Sequence, residues 1–343
     1  MATPSATLII PCRNEERYIG RLLDDLIAQQ HPISDLEVLV MDGMSTDGTR
    51  AEVGKRSSAV PQIRLVDNPQ HTVPYALNSG VGMAQAPVVM ILGAHSTYPP
   101  NYVSDLLNAL KETGADNVGG LLETLPADDT PMSVAIAEAM SSRIGVGNAH
   151  FRTGADAPLD VDTVPFGCYP KAVFERIGLF DVTLTRNQDD ELNGRLKKAG
   201  GRIVLIPTVK AGYYARSTFS QLWRMYRQYG LYKPLVNVRL GFPATWRQLV
   251  PPALVVAILS LPITFLIMKP LFGATGLAMA CYMALLIMGG QSAGLHRHMP
   301  SLTLHFPVAV MCMHISYGIG YLEGLVRFVL LRQQGGGDMR ASR

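Results

Sequence analysis

The segment from Leu36 to Thr49, reading LEVLVMDGMSTDGT, decides how the chain is folded. Leu36 to Met41 is mostly apolar, as expected of a short strand inside a sheet. Asp42 ends that run, and Gly43 and Gly48 let the backbone bend tightly around Ser45, Thr46 and Asp47. A helical pattern then begins at Thr49 and continues to Arg56. The same unit recurs: Thr7 to Ile10 precedes Tyr18 to Ala28, Ile63 to Val66 precedes Val73 to Ala84, and Val88 to Leu92 precedes Asn101 to Glu112. This alternation predicts an α/β domain, a mostly parallel, Rossmann-like sheet covered by helices. Such sheets bind ligands beyond the carboxyl ends of their strands. The residues that follow the apolar runs are therefore expected to share one crevice: Pro11, Cys12, Arg13, Asn14 and Glu15; Asp42 to Thr49; and Gly93, Ala94 and His95.

Outward from this core the composition changes in zones. Over 343 residues, 30 Lys and Arg against 27 Asp and Glu leave a net charge of +3, which gives no domain-wide basic excess for nucleic acid. With 48% apolar residues the chain is not of disordered composition. Residues 1–191 hold 13 basic and 25 acidic side chains, whereas residues 192–247 hold 11 basic and none acidic. From Leu249 to Leu322 only Lys269 and Arg297 are charged, where average composition would place about 12 charges.

That deficit predicts membrane segments. Leu249 to Met268, Leu271 to Gly290 and Leu302 to Leu322 are each close to the ~20 residues a bilayer core requires, with a very tight turn at Lys269-Pro270. Three uncharged helices in succession suit lipid better than the core of a soluble protein. Ala6 to Pro11 is too short for a secretory signal and Arg13 follows at once, so residues up to 248 are expected in the cytoplasm. The basic stretch before the first span agrees with retention on that side. A third crossing would export Arg332, Arg340 and Arg343, which the same rule disfavours. Either Glu323 to Gln334 lies along the interface or one apolar segment is re-entrant. The expected divisions are residues 1–215 (the α/β domain), 216–248 (a basic, aromatic interfacial segment), 249–331 (membrane) and 332–343 (a flexible tail). Cys12, Cys168, Cys281 and Cys312 lack metal spacing and read as reduced thiols, mostly buried.

The turn after Asp42 leaves carboxylates and hydroxyls available to accept from a base N–H or ribose hydroxyls. Taken alone it suits an Asx-type turn capping the helix at Thr49 equally well. Asp189, Asp190 and Glu191 together would complement the dipole of a helix first turn.

As a set, several motifs resemble glycosyltransferase family 2, whose members have the GT-A fold and use nucleotide sugars. They are Pro11-x-x-Asn14-Glu15, Asp42-Gly43-x-Ser45-x-Asp47-Gly48-Thr49 and Asn78-x-Gly80. Ala94-His95-x-x-Tyr98-Pro99, the run Gly114 to Gly120, Val161 to Val164 and Arg186 to Leu192 are similar to the succinoglycan-type glucosyltransferases of bacterial exopolysaccharide assembly. The resemblance extends over about residues 7 to 235 and is specific as a set rather than piece by piece.

The resemblance implies a GT-A domain followed by transmembrane helices. Asp42 and Asp47 would hold the nucleotide, Pro11, Asn14 and Glu15 would form the facing wall, and Asn78, Gly93 and Ala94 would line the donor site. Asp189 would be the carboxylate that takes the proton from an attacking sugar hydroxyl in a single inverting displacement, with nucleoside diphosphate leaving. Relatives carry an acidic residue where this chain has Gly93, and a glycine cannot ligate the Mn²⁺ or Mg²⁺ that stabilises the leaving group. His95 remains a candidate ligand. Arg224 and Arg227, one turn apart in Gln221 to Gly230, are candidates either to meet the diphosphate or, with Trp223, Tyr226, Tyr229, Tyr232 and Trp246, to sit among lipid headgroups. The implied partners are a UDP-sugar, first UDP-glucose, a polyprenyl-diphosphate-linked saccharide acceptor and membrane lipids, at the inner (plasma) membrane with the catalytic domain cytoplasmic. Nothing acidic lies in the spans, which suits an anchor rather than a conduit. A silent nucleotide-sugar binding protein and a transporter are the competing readings.

Overall fold

A computed structural model of the chain describes residues 3–241, 245–333 and 335. The expected tail therefore lies outside the described residues except for 332, 333 and 335. The strands are β1 Ala6–Cys12, β2 Leu36–Asp42, β3 Ile63–Asp67, β4 Val88–Ile91, β5 Ser96–Thr97, β6 Asn117–Leu125, β7 Leu159–Asp160, β8 Cys168–Pro170 and β9 Ile203–Tyr214. The helices are α1 Ile19–Ile27, α2 Thr49–Ser57, α3 Val73–Met83, α4 Tyr102–Thr113, α5 Pro131–Ser141, α6 Arg143–Val146, α7 His150–Thr153, α8 Ala172–Ile177, α9 Gln188–Lys198, α10 Phe219–Leu240, α11 Val250–Ile267, α12 Lys269–His296 and α13 Leu302–Gly324.

All nine strands join one sheet, ordered β3-β2-β1-β4-β8-β6-β9-β5, with β7 also on β9. The half made of β3, β2, β1 and β4 is parallel, as the alternation predicts. Leu8, Ile9, Ile10, Val38, Leu39, Val40 and Met41 are all fully buried there. Strands covered on both faces need such unbroken apolar runs. The other half is mixed: β8 runs antiparallel to both β4 and β6, and β5 and β7 run antiparallel to β9.

The described residues divide into two compact units. One comprises the residues up to Glu123 together with Gly154–Tyr213, and the other comprises Thr124–Thr153 and the residues from Tyr214 to Gly335. The first holds the parallel half of the sheet and all the strand-end loops. The second is helical. In it α10 and α13 approach so closely that a Cβ on Gly230, Gly320 or Gly324 would run into backbone carbonyls of Tyr317, Arg227 and Leu231 respectively. Three helical stretches are long and apolar enough to cross a membrane: Trp246–Ile267, Lys269–His296 and Leu302–Leu330. Met268 alone separates α11 from α12.

Candidate active site

Asp42 and Cys12 are register neighbours at the ends of β2 and β1, and the Gly43 N–H donates to the Cys12 carbonyl at 2.8 Å. Two loops leave from this point, and both turn through left-handed backbone, at Asn14 (φ 54°) and Met44 (φ 57°). They are joined by reciprocal hydrogen bonds. The Asn14 N–H donates to Ser45 Oγ at 2.7 Å, and the Thr46 N–H donates to Asn14 Oδ1 at 2.8 Å. Glu15 N–H donates to Thr49 Oγ1 at 2.6 Å, and Gly48 N–H donates to the Glu16 carboxylate at 2.6 Å. Asn14 thus fixes the shape of the Asp42 turn as well as facing it.

The two aspartates of that turn differ. Asp42 is fully buried and accepts from the Ser45 N–H and hydroxyl and, at 2.6 Å, from Arg50 Nη1. Arg50 also pairs with Asp67 at 2.8 Å, and Asp67 is the register neighbour of Asp42 on β3. These bonds, that to Asp67 foremost, hold the guanidinium pKa above its ordinary value. Asp47 forms an Asx turn just ahead of α2, accepting from the Thr49 N–H at 3.0 Å and from its hydroxyl, while its second oxygen accepts from Glu16 N–H at 3.3 Å. Desolvation works against ionisation of Asp47, but the hydrogen bonds from Thr49 and Glu16 prevail and lower its pKa. Asp67 and Arg50 escaped the sequence reading although the signal was present. The third apolar run ends in an acid just as the second does.

At the end of β4 the Gly93 N–H donates to the Tyr98 hydroxyl at 2.7 Å. Burial drives the Tyr98 phenol well above its ordinary pKa, so it remains a neutral hydroxyl. A Cβ at Gly93 would lie 2.5 Å from Cε1 of Phe166. The aromatic ring fills the space an acidic side chain would need. Phe166 itself has φ 49°, a left-handed backbone that a bulky residue adopts only when its surroundings impose it. Ala94 is buried, and His95 turns its Nε2 to the Glu15 carboxylate at 3.1 Å, with its ring edge-on to Tyr18. Among the described residues no three His, Cys, Asp or Glu side chains cluster to hold a metal ion. With Gly93 lacking a ligand and His95 engaged by Glu15, the side chains present do not build a metal centre here.

Asp189 lies in the first turn of α9, behind a left-handed Asn187 (φ 61°). The acidic triplet divides into distinct environments. Glu191 is 3% exposed and bound by Arg195 through two nitrogens at 2.6 and 2.9 Å, whereas Asp189 is exposed. Arg195 also donates to the carbonyls of Ile177 and Leu179, closing the loop before the helix. The helix is pinned to the sheet by Asn193, which is fully buried. Its Oδ1 accepts from Asn117 Nδ2 at 3.0 Å and from the Tyr169 hydroxyl at 3.2 Å, and its Nδ2 donates to Thr163 at 2.8 Å. Burial first, and then the nearby Asp189 charge, push the Tyr169 phenol pKa well above its ordinary value.

Asn78 spends its amide on backbone. It donates to the Phe180 carbonyl and accepts from the Phe180 N–H, both at 2.9 Å, and so steadies the loop leading to α9. Pro11 is half-buried near the end of β1. Arg224 and Arg227 belong to the helical unit, where Arg227 pairs with Glu323 at 2.6 Å. Glu323 is shared with Arg327.

This arrangement is that of a GT-A transferase: a parallel half-sheet with a zipped double loop at its carboxyl edge, and an acidic helix start on the adjoining mixed half. Residues 7–177 match the family described as Glycosyl transferase family 2, and the chain belongs to that family and is a glycosyltransferase. It is 28% identical to the succinoglycan biosynthesis protein ExoA of Rhizobium meliloti, over 96% of this chain and 97% of that one. It is 26% identical to the dolichyl N-acetyl-alpha-D-glucosaminyl phosphate 3-beta-D-2,3-diacetamido-2,3-dideoxy-beta-D-glucuronosyltransferase of Methanococcus voltae, over 94% and 97% of the two chains. Among solved structures, the mannosyltransferase PcManGT of Pyrobaculum calidifontis, in complex with GDP-Man and Mn²⁺, superposes with a TM-score of 0.55 at 19% identity, covering 91% of this chain and 88% of that one.

Proposed function

We propose that the chain is a membrane-anchored, inverting hexosyltransferase that moves a sugar from a UDP-sugar onto a polyprenyl-linked saccharide at the cytoplasmic face of the inner membrane. The observation that carries this reading is the division of labour in α9. Glu191 is spent in a buried ion pair and Asn193 in fixing the helix, while Asp189 stays exposed at the helix start. A sugar hydroxyl is a poor nucleophile, and a carboxylate within hydrogen-bond reach takes its proton as the oxygen attacks the anomeric carbon. We assign that role to Asp189. Asp42, Asp47, Asn14 and Glu15 shape the donor pocket, Asp42 with Arg50 giving it a rigid floor. The relatives named for succinoglycan and for a dolichyl-phosphate-linked sugar support a lipid-linked acceptor, as do helices apolar enough for a bilayer. In the basic α10 segment, Trp223 at 38% exposure supports a place among headgroups for the cations around it.

A divalent ion, where one accompanies the donor, supplies charge to the departing diphosphate. The side chains here offer it no carboxylate at position 93. The deciding experiment offers radiolabelled UDP-, GDP- and dTDP-sugars to membranes containing the full chain, with and without chelator. Transfer from a UDP-hexose into a lipid-extractable product is expected. Phe166 over Gly93 favours one rival, a nucleotide-sugar binding protein without turnover, and its mark would be donor binding with no product from any sugar in the panel.

A further inference from the structure

Three helices are apolar enough to cross a membrane, yet they are covered to different degrees. Half of the third is buried inside the protein, against 17% and 6% for the first two. The polar contacts at the ends of the first two show which side they start from and return to. Just before α11, Arg247 donates to the Asn148 carbonyl at 3.0 Å, and directly after α12, Arg297 donates to Glu138 at 2.6 Å. Both partners lie in the α5 to α7 segment, which the chain inserts between β6 and β7. Five residues connect the segment to the sheet on either side, 126–130 and 154–158. Five extended residues reach no more than about 18 Å, short of the ~30 Å of a hydrocarbon core. The segment is therefore on the sheet's side of any bilayer. The α11–α12 hairpin leaves that side and returns to it.

The third helix stays with the segment along its length. At its middle, His314 Nε2 lies 3.1 Å from the Gly145 carbonyl of α6. It also runs parallel to α10 in constant register: Cys312 bonds the Phe219 carbonyl, Gly320 abuts the Arg227 carbonyl, and Gly324 abuts the Leu231 carbonyl. Tyr232 stacks on Phe328 beyond them. Since α10 carries Arg224, Arg227, Lys233 and Arg239, α13 could not cross lipid without taking four cations with it.

We infer that only the α11–α12 hairpin enters the bilayer, and that α13 remains on the same side of the membrane as the catalytic unit, as the strut on which α5 and α10 pack. This rests on the membrane reading proposed above. The interaction surface is the outer face of the hairpin, where Leu259, Leu266, Ile267 and Leu277 are each more than 65% exposed, and its partner is lipid hydrocarbon. The chain end after α13 then lies on the catalytic side, which removes the conflict between three crossings and an exported basic tail.

The test uses the full chain with Cys281→Ser, in sealed vesicles of known orientation, and a membrane-impermeant maleimide. Ser58→Cys reports the catalytic unit, while Leu331→Cys and, independently, Leu330→Cys report the end of α13. Expected is labelling of all three from the same face without detergent. Labelling of the 330 and 331 variants only after detergent, where Ser58→Cys labels freely, would overturn the inference. Release of the protein by alkaline carbonate would instead remove the membrane reading on which it rests.

Discussion

At the scale of single residues, the instructive position is the end of β4, where the ring of Phe166 stands in the space that a side chain at Gly93 would need. Phe166 is 73 positions from Gly93, so nothing in the local sequence reveals that a ring closes this space. The obvious repair, Gly93→Asp, consequently meets Phe166 before it meets any metal. It should cost about 1–3 kcal/mol, the usual range for overpacking, read as a fall in melting temperature. The pair Gly93→Asp with Phe166→Ala should recover that loss and gain Mn²⁺ dependence of donor binding. A single variant of unchanged stability would contradict the packing. Asp189→Asn is expected to lower transfer by about 10²–10⁴-fold, the range for a lost general base, with UDP-sugar affinity unaltered in a binding assay. Equal losses in both would point to a structural role.

Asp47 gives a prediction in pH. Its pKa is lowered in the folded chain, so its contribution to the turn is complete above the ordinary aspartate value of 3.8 and disappears only as pH falls through the lower folded value. Protection of the two amides that donate to Asp47, those of Thr49 and Glu16, should hold from neutral pH down to that value and fail below it. In Asp47→Asn the protection of these two amides should be weaker at neutral pH and should lose this acid-dependent step.

At the scale of elements, what was legible was local and what was hidden was long-range. The first four strand and helix pairs fall within one or two residues of where periodicity puts them, because each helix follows its strand and each buried parallel strand must be apolar. β8 is three residues long and inserts between β4 and β6, a pairing no local pattern encodes. The roles within α9 were equally hidden. Three consecutive acids look alike in sequence, and only Arg195, one turn on, separates Glu191 from its neighbours. Asn193 holds α9 from within the core. Asn193→Ala strands Asn117, Tyr169 and Thr163, and leaving buried polar groups unpaired costs about 1–3 kcal/mol each. The expected outcome is a drop in kcat as α9 loosens, with donor affinity kept, because the double loop at β1 and β2 has no bond to Asn193. An unchanged kcat would show that the helix is held by packing alone.

At the scale of the whole molecule, composition announced lipid but not the route through it. Charge counting and length mark α13 as a candidate span, but they do not register that Gly320 and Gly324 let α10 lie against it through contacts 93 positions apart in the chain. Gly320→Leu should separate the two helices and destabilise the helical unit, detected as earlier thermal aggregation in detergent. An unaffected melting temperature would show that the register is not needed.

The one-residue turn between α11 and α12 carries a consequence for how such a chain is made. With Met268 and Lys269 at the tip and basic residues at both feet, insertion requires a single ammonium group, and no hydrophilic loop, to be carried into the lipid. On the hairpin reading inferred above, the energetic barrier to seating the anchor is then the desolvation of that one cation rather than of a polar loop.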